Sequence, residues 1–334
     1  MIAQPSDRVN RRRANPGHTV AEVFRRTETR LRRASLHYGH GTHNARDEAA
    51  VLILHVLKLA SQPLAQHADR RLTPAQTRRL ERLVWRRIEA RLPAAYLTRE
   101  AWLGDHRFTV DRRVIVPRSF IAELLRERLA PWVHLRLRRA LDLCTGSGCL
   151  AVLLADAFPQ AKIDASDLSS GALAVARRNI AQYGLQHRVQ LIRSDLFAAL
   201  GRRRYDLIVC NPPYVTDAAM ARLPAEYRYE PRRALAGGAG GLDLVHRILQ
   251  QAPRFLTPTG ILVCEIGHNR RALEHAYPRT PFVWPETSAG PDHVFLLERA
   301  DLPLNRAGSA GGTRAKPDPG RGSRPPRGRL ASRG

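Results

Sequence analysis

Apolar residues in the first hundred positions recur at helical spacing. Val20, Val23, Phe24 and Leu31 fall on one side of a helix expected over 19–35, whose outer face is rich in arginine. A Gly/His connector follows, Tyr38-Gly39-His40-Gly41-Thr42-His43-Asn44, and Asn44 is placed to cap a second helix running to about residue 59. Thr73-Pro74-Ala75-Gln76 carries a start signal: a cap hydroxyl, proline at the first position, and a glutamine that reaches back. Leu80, Leu83, Val84, Trp85 and Ile88 extend that helix to about residue 91. Short strands are then expected at 101–103, 107–110 and 114–116, around Gly104-Asp105 and Asp111-Arg112. A helix over 120–129 carries Ile121, Leu124 and Leu125 on one side.

From Ala140 onward the pattern alternates. Strands are expected near 140–144, 162–166, 189–192, 206–210, 260–265, 282–284 and 294–299, and helices near 149–157, 170–183, 241–254 and 270–277. That order predicts an α/β, doubly wound, mostly parallel seven-stranded sheet with ligands at the carboxyl ends of its strands. No helical pattern separates the last two strands, so one of them is expected to run antiparallel. The chain thus divides into a basic, disordered amino terminus (1–18), a small all-helical domain (19–92), a β-hairpin linker (93–118), the α/β domain (119–302) and a disordered basic tail (303–334).

Composition adds charge. Against 30 acids the 334-residue chain has 55 basic residues, for a net charge of +25. Lys58, Lys162 and Lys316 are its lysines, and every other basic residue is arginine. About half of the excess sits in the first and last 34 residues (+6 each), so the tails are where weak ribosomal RNA contact is expected. Cys144, Cys149, Cys210 and Cys264 form no CxxC pair and read as buried small side chains in a reduced compartment, not metal ligands. The absence of a signal peptide and of a ~20-residue apolar run implies a cytoplasmic protein with no membrane contact.

The chemistry concentrates at strand ends. Asp142-Leu143-Cys144-Thr145-Gly146-Ser147-Gly148-Cys149 joins the first strand to its helix, and its glycines allow a tight turn and a close ligand. Asp167-Leu168 ends the second strand, where the acid faces ribose hydroxyls, and Asp195-Leu196 follows the third, where an acid and a hydrophobe hold a ring such as adenine. Gly146 to Ala151 also satisfies the dinucleotide pattern G-x-G-x-x-A, which leaves a nicotinamide cofactor open on this loop alone. Asp142 before the glycines favours a cofactor with an amino-acid head group, S-adenosylmethionine. The fourth strand, Leu207-Ile208-Val209-Cys210, ends in Asn211-Pro212-Pro213-Tyr214. Two prolines without N–H groups stiffen a corner that offers carbonyl acceptors, an amide and an aromatic face, a cradle for a planar NH2 group. Its alternative is an ordinary Asn-Pro turn.

Taken together, Asp142 to Gly148, Asp167, Asp195 and Asn211 to Tyr214 resemble a class I S-adenosylmethionine-dependent methyltransferase with a Rossmann-like sheet, acting on an amide or exocyclic amine nitrogen. The resemblance narrows with Tyr38-Gly39-His40-Gly41-Thr42, Ala95-Tyr96-Leu97, Val116-Pro117-Arg118-Ser119, Glu226-Tyr227, Glu230-Pro231 and Cys264-Glu265-Ile266-Gly267. These are similar to the PrmB-type protein-glutamine methyltransferases, over roughly residues 20 to 300. The resemblance implies methylation of a glutamine side chain in the third large-subunit ribosomal protein. A sister group acts on the Gly-Gly-Gln motif of peptide chain release factors and tends to have Pro-Arg-Pro where this chain has Pro117-Arg118-Ser119. Two departures are Gly240, where the family usually has an acid, and His293, where a glycine is common.

On this reading Asn211, Pro212, Pro213 and Tyr214 carry the reaction. The Asn211 oxygen and the Pro212 carbonyl accept the two amide hydrogens of the substrate glutamine, and Tyr214 packs on its side chain. Cofactor binding falls to Asp142, Cys144, Thr145, Gly146, Ser147, Gly148, Asp167, Leu168, Asp195, Leu196 and Asn211. The rivals are a DNA or RNA amino-methyltransferase, which also uses Asn-Pro-Pro-Tyr but normally needs a target-recognition domain, and a non-enzymatic RNA- or ribosome-binding module.

Overall fold

The start signal at Thr73 forms as a capping box in the computed structural model, which describes residues 17–59, 62–133 and 137–303. Thr19 makes the same box with Glu22. Behind these caps lie α1 (Val20–Arg33), α2 (Ala45–Leu57, capped by Asn44) and α3 (Pro74–Glu89). Their apolar faces meet over Leu31, Leu52, Ile53 and Leu80, none more than 1% exposed. Each such side chain contributes about 1.5–3 kcal/mol on burial, which holds three short helices that would not persist alone. A five-residue helix, α4 (Ala94–Thr98), follows and is buried throughout. The expected disorder of 1–18 and 303–334 concerns mostly residues outside those described. The Gly17 carbonyl accepts from the Arg71 guanidinium (2.6 Å) and the His18 carbonyl from the Leu72 N–H (3.1 Å).

The hairpin forms from β1 (Glu100–Leu103) and β2 (His106–Thr109). The third strand expected there, 114–116, is not one. The Val114 N–H turns back to the Asp111 carbonyl, the Val116 N–H donates to the Glu230 carboxylate (2.9 Å), and Pro117 has no N–H to offer. The hairpin is moored by Asn179, which is fully buried and exchanges hydrogen bonds with both backbone groups of Thr109 while donating to Ser147 O. Helix α5 (Ile121–Arg126) is shorter than the 120–129 expected.

The large sheet comprises β3 (Arg139–Leu143), β4 (Lys162–Asp167), β5 (Val189–Arg193), β6 (Tyr205–Cys210), β7 (Leu256–Glu265) and β8 (Val294–Glu298), in the order β5-β4-β3-β6-β7-β8. All pairs are parallel except β7–β8. Helices α6 (Cys149–Ala157) and α7 (Ser170–Gln182) pack on one face with Ala140, Val209 and Val263; α9 (Asp243–Gln251) packs on the other with Leu141, Ile208 and Leu262. Between β6 and α9 stands the single turn α8 (Asp217–Met220), and α10 (Arg270–Ala276) follows β7.

Six strands are found where seven were expected. Residues 282–284 reduce to one bridge, Val283 with Leu296. Both hydrogen bonds of that pair form, but the next ladder positions on the same strand are Pro281 and Pro285, which have no N–H to continue it. Cys210 and Cys264 are buried as expected, while Cys144 and Cys149 are only half-buried, and all four are free thiols.

Candidate functional site

The strand order decides where a ligand goes. The chain leaves β3 towards β4 and β5, then returns to β6 on the other side of β3. The loops after β3 and β6 therefore diverge, and a crevice opens above Leu143 and Cys210, which are paired in register. Two cavities occupy it. The first, about 330 Å³, is lined by Cys144, Gly146, Asp167, Leu168, Asp195 and Leu196, with Asn211 and Pro213 at its edge. The second, about 160 Å³, is lined by all four residues from Asn211 to Tyr214 and by Ile115, Leu223 and Tyr227. Ile115, Asn211, Pro213 and Ala234 belong to both. A third cavity of about 300 Å³, at Gly104-Asp105 and Pro159, shares no residue with either.

The larger cavity is shaped by local backbone contacts. Gly146 sits at φ +55° and its N–H donates to Asp167 Oδ2 (2.9 Å), while the Ser169 N–H donates to Oδ1 (2.8 Å). Burial pushes the Asp167 carboxyl above the usual range despite these donors. Thr145 donates to Asp142 Oδ2, and Asp142 Oδ1 is buried without a partner. Burial holds the Asp142 carboxyl up at about 7, against the opposing Thr145 bond. Asp142, Thr145, Ser147 and Gly148 thus lie behind the cavity wall rather than on it. Gly148 begins α6 at φ +79°, and a Cβ there would stand 3.1 Å from Ala176 Cβ. Leu168 is 44% exposed yet lines the cavity, a flat apolar surface for a ring. Asp195 is bound by Arg247 (2.9 Å) at the rim.

These features fit S-adenosylmethionine. The cavity is largely apolar, with Leu168 and Leu196 on its wall, and two acids at successive strand ends, Asp167 and Asp195, line it as acceptors for hydroxyl and amine donors. No pyrophosphate cradle is needed. Among the described residues no cluster of three or more His, Cys, Asp or Glu is arranged to hold a metal ion, and no helix is long and apolar enough to cross a membrane.

The smaller cavity is fixed from a distance. Asn211 Nδ2 donates to the Arg118 carbonyl (3.3 Å). A carbonyl only accepts, so the amide is oriented and Oδ1 is left to accept. The Tyr214 hydroxyl donates to Glu265 Oε1 (3.1 Å), and its carbonyl accepts from Asn269 (2.9 Å). Glu265 is 1% exposed, and its other oxygen accepts from Ser119 Oγ (2.6 Å) and the Phe120 N–H (3.0 Å). Burial raises the carboxyl of Glu265 and, with that carboxylate beside it, the Tyr214 phenol. Gly267 stands at φ +56° with the Tyr214 ring against it; a Cβ would lie 2.6 Å from Cε2.

Arg118 and Glu230 form a two-pronged pair, both bonds 2.6 Å. Burial alone would raise Glu230; Arg118 and His40 hold it at about 2. Reading by residue type at strand ends missed Glu265, Glu230, Arg118, Ser119 and Asn269. Glu265 did carry a signal, an acid closing the apolar run Ile261-Leu262-Val263-Cys264, the same signal as Asp167. Of the departures, Gly240 borders open space: a Cβ there would meet no atom within 4 Å. His293 is buried edge-on to Phe120 (5.1 Å) and His268 (4.6 Å).

Comparison with known proteins follows this geometry. The methyltransferase small domain matches residues 121–226, and the PrmC N-terminal domain matches residues 22–98. The ribosomal protein uL3 glutamine methyltransferase of Bordetella pertussis is 55% identical over 286 residues, covering 85% of this chain and 96% of that protein. Proteins of the same name from Neisseria gonorrhoeae (51%, 85% of this chain and 95% of that protein) and Burkholderia pseudomallei (50%, 86% and 97%) align over nearly the same span. Among solved structures, the hMettl16 catalytic domain bound to an RNA hairpin aligns at TM-score 0.46 and 17% identity, over 68% of this chain and 81% of that one, which carries no functional argument.

Proposed function

This chain belongs to the ribosomal protein uL3 glutamine methyltransferases, and we propose that it methylates the side-chain amide nitrogen of a glutamine in that ribosomal protein, in the cytoplasm, with S-adenosylmethionine as cofactor. The observation that carries this reading is the junction of the two cavities at Asn211 and Pro213. One chamber suits the cofactor and the other a narrow side chain, and they touch at a group able to hold an amide.

Bound in the larger chamber, the cofactor supplies an electrophilic methyl carbon. The rest falls to the protein. A carboxamide nitrogen is a poor nucleophile because its lone pair is delocalised. Asn211 Oδ1 and the Pro212 carbonyl accept its two hydrogens, which turns the lone pair out of the amide plane towards the larger chamber. Pro213 and Tyr214 hold the aliphatic stem. Alignment of this kind supplies up to ~7–11 kcal/mol in favourable cases. The nitrogen becomes strongly acidic once methylated and loses a proton without a dedicated base, restoring the neutral amide. Cys144, Gly146, Asp167, Leu168, Asp195 and Leu196 hold the cofactor, with Asp142, Thr145, Ser147 and Gly148 shaping the turn beneath it.

The test is incubation with methyl-labelled cofactor and, in separate arms, unmethylated ribosomal protein uL3, a release factor and DNA. Label on a glutamine of uL3 is the expected result. Label on the release factor or on DNA, with none on uL3, overturns the substrate.

A further inference from the structure

The motif Tyr38-Gly39-His40-Gly41-Thr42 has no part in methyl transfer as derived above, yet it is among the most firmly held segments of the molecule. The His37 N–H donates to Glu226 Oε1 (3.0 Å), and the His37 carbonyl accepts from Arg87 Nη2 (2.7 Å). Thr42 Oγ1 donates to Glu48 (3.0 Å), which also accepts from Arg87 Nε, while Arg87 Nη1 reaches Glu226 (3.3 Å). His40 lies 3.7 Å from Glu230, the partner of Arg118. Glu48, Arg87, Glu226 and Glu230 are each no more than 5% exposed. Buried charges are costly unless paired, so these contacts tie connector and loop together, with Glu226 Oε2 and His40 Nε2 buried without a hydrogen bond.

The two glutamates, Glu226 and Glu230, bracket Tyr227. Its ring lies 4.5 Å from the His40 ring and 5.5 Å from the His37 ring, and the Arg118 guanidinium stands 5.5 Å from its centroid. Tyr227 also lines the smaller cavity, the chamber assigned to the glutamine. Among the described residues its hydroxyl has no hydrogen-bond partner. An aromatic plate is thus presented at the chamber wall and locked from behind by the connector.

We infer that Tyr227 contacts the substrate protein beside the methylated glutamine, its ring face packing on the adjoining peptide unit, and that the connector's His40 is the positioning residue that holds it there. This rests on the proposed glutamine chemistry and adds the element that chooses the protein. Ile115, Leu223 and Leu235 line the same chamber beside Arg118 and Asn211, and a fixed ring at its wall favours an extended segment that can lay a peptide plane against it.

The experiment is steady-state methylation of purified, unmethylated uL3 by the full chain and by Tyr227→Leu, Tyr227→Phe, His40→Ala and the Tyr227→Leu/His40→Ala double variant. Calorimetric binding of S-adenosylhomocysteine and the thermal midpoint are measured for each. For Tyr227→Leu, KM for the protein should rise about tenfold, by more than kcat falls. Cofactor-product binding should stay within about twofold, Tyr227→Phe should retain most of the affinity, and His40→Ala should raise KM without adding to Tyr227→Leu. If Tyr227→Leu fails to fold, His40→Ala against Tyr227→Phe carries the same comparison. Unchanged KM with a lowered kcat, or weakened S-adenosylhomocysteine binding in step with KM, overturns the inference. Should the wild type label a release factor instead of uL3, the substrate reading fails, and the same KM comparison on that protein still decides Tyr227. A wild type that labels neither protein overturns both.

Discussion

The two chambers share Asn211 and Pro213 but are built differently. In the larger chamber the contacts are shorter in sequence: Gly146 to Asp167 spans 21 residues, Thr145 to Asp142 spans three, and Arg247 to Asp195 at the rim spans 52. Around the smaller chamber they are remote: Arg118 to Glu230 spans 112 residues, Arg87 to Glu226 spans 139 and Ser119 to Glu265 spans 146. The first is held mainly by backbone N–H groups at strand ends, the second by buried carboxylates that tie three distant segments together. The contrast teaches that the glycine turn is built by the sheet's own strand ends, whereas the Asn211 to Tyr214 corner depends on the helical segment and the long loop after Tyr214 arriving in register; that loop and the linker also close the larger chamber, through Ile115, Pro231 and Ala234.

The largest expected effect tests the shared wall. Asn211→Ala should lower turnover by ~10²–10³-fold while S-adenosylhomocysteine binding is largely kept, since one preorganised acceptor is worth about 3–4 kcal/mol in a dry site. Parallel loss of cofactor binding would merge the two chambers into one structural unit.

Arg87→Ala attacks the remote network. It leaves Glu48 without its cation and Glu226 with only Arg91 (3.4 Å) and the His37 N–H, so a loss of ~3–5 kcal/mol is expected in urea unfolding. The loss should shrink at acid pH as those carboxylates take up protons. A loss below about 1 kcal/mol would mean the network is not what fixes the acceptor corner.

Gly267→Ala is narrower. A methyl 2.6 Å from the Tyr214 ring must displace it, and a misplacement of this order costs about 10²-fold in turnover. Cofactor binding should be spared.

A last expectation concerns the glycine turn and is read in stability against pH, not in turnover. Asp142, with a folded pKa of about 7 against an ordinary 3.8, binds its proton more tightly in the native state. Its contribution to stability is full below pH 4 and is lost as pH rises towards 7. Asp142→Asn should therefore flatten that part of the pH–stability curve of the cofactor-free chain. An unchanged curve would show that the buried carboxyl is not proton-bound in this window.

Much of the fold was legible because periodicity records which face of an element is buried. The alternation after Ala140 placed β3 to β7 and α6, α7 and α9 to within a few residues. Residues 114–116 and 282–284 misled for a related reason. Both have strand-like side chains, but their backbone partners are decided elsewhere, by the Glu230 carboxylate in one case and by flanking prolines in the other. In the site, the strand-end acids and Asn211 to Tyr214 were readable because a motif next to a strand inherits its position from that strand.

Sequence alone determined six of the sheet's strands, the glycine turn with Gly146 and Gly148 at positive φ, and the rigid Asn-Pro-Pro-Tyr corner. Each depends on residues adjacent in the chain, so local sterics and hydrogen-bonding capacity suffice. Tertiary structure decided what surrounds that corner: Glu265 under Tyr214, Glu230 on Arg118, and Tyr227 against His40. A charge is tolerated in the interior only where its partner arrives, and which partner arrives is set by how the helical segment packs on the sheet.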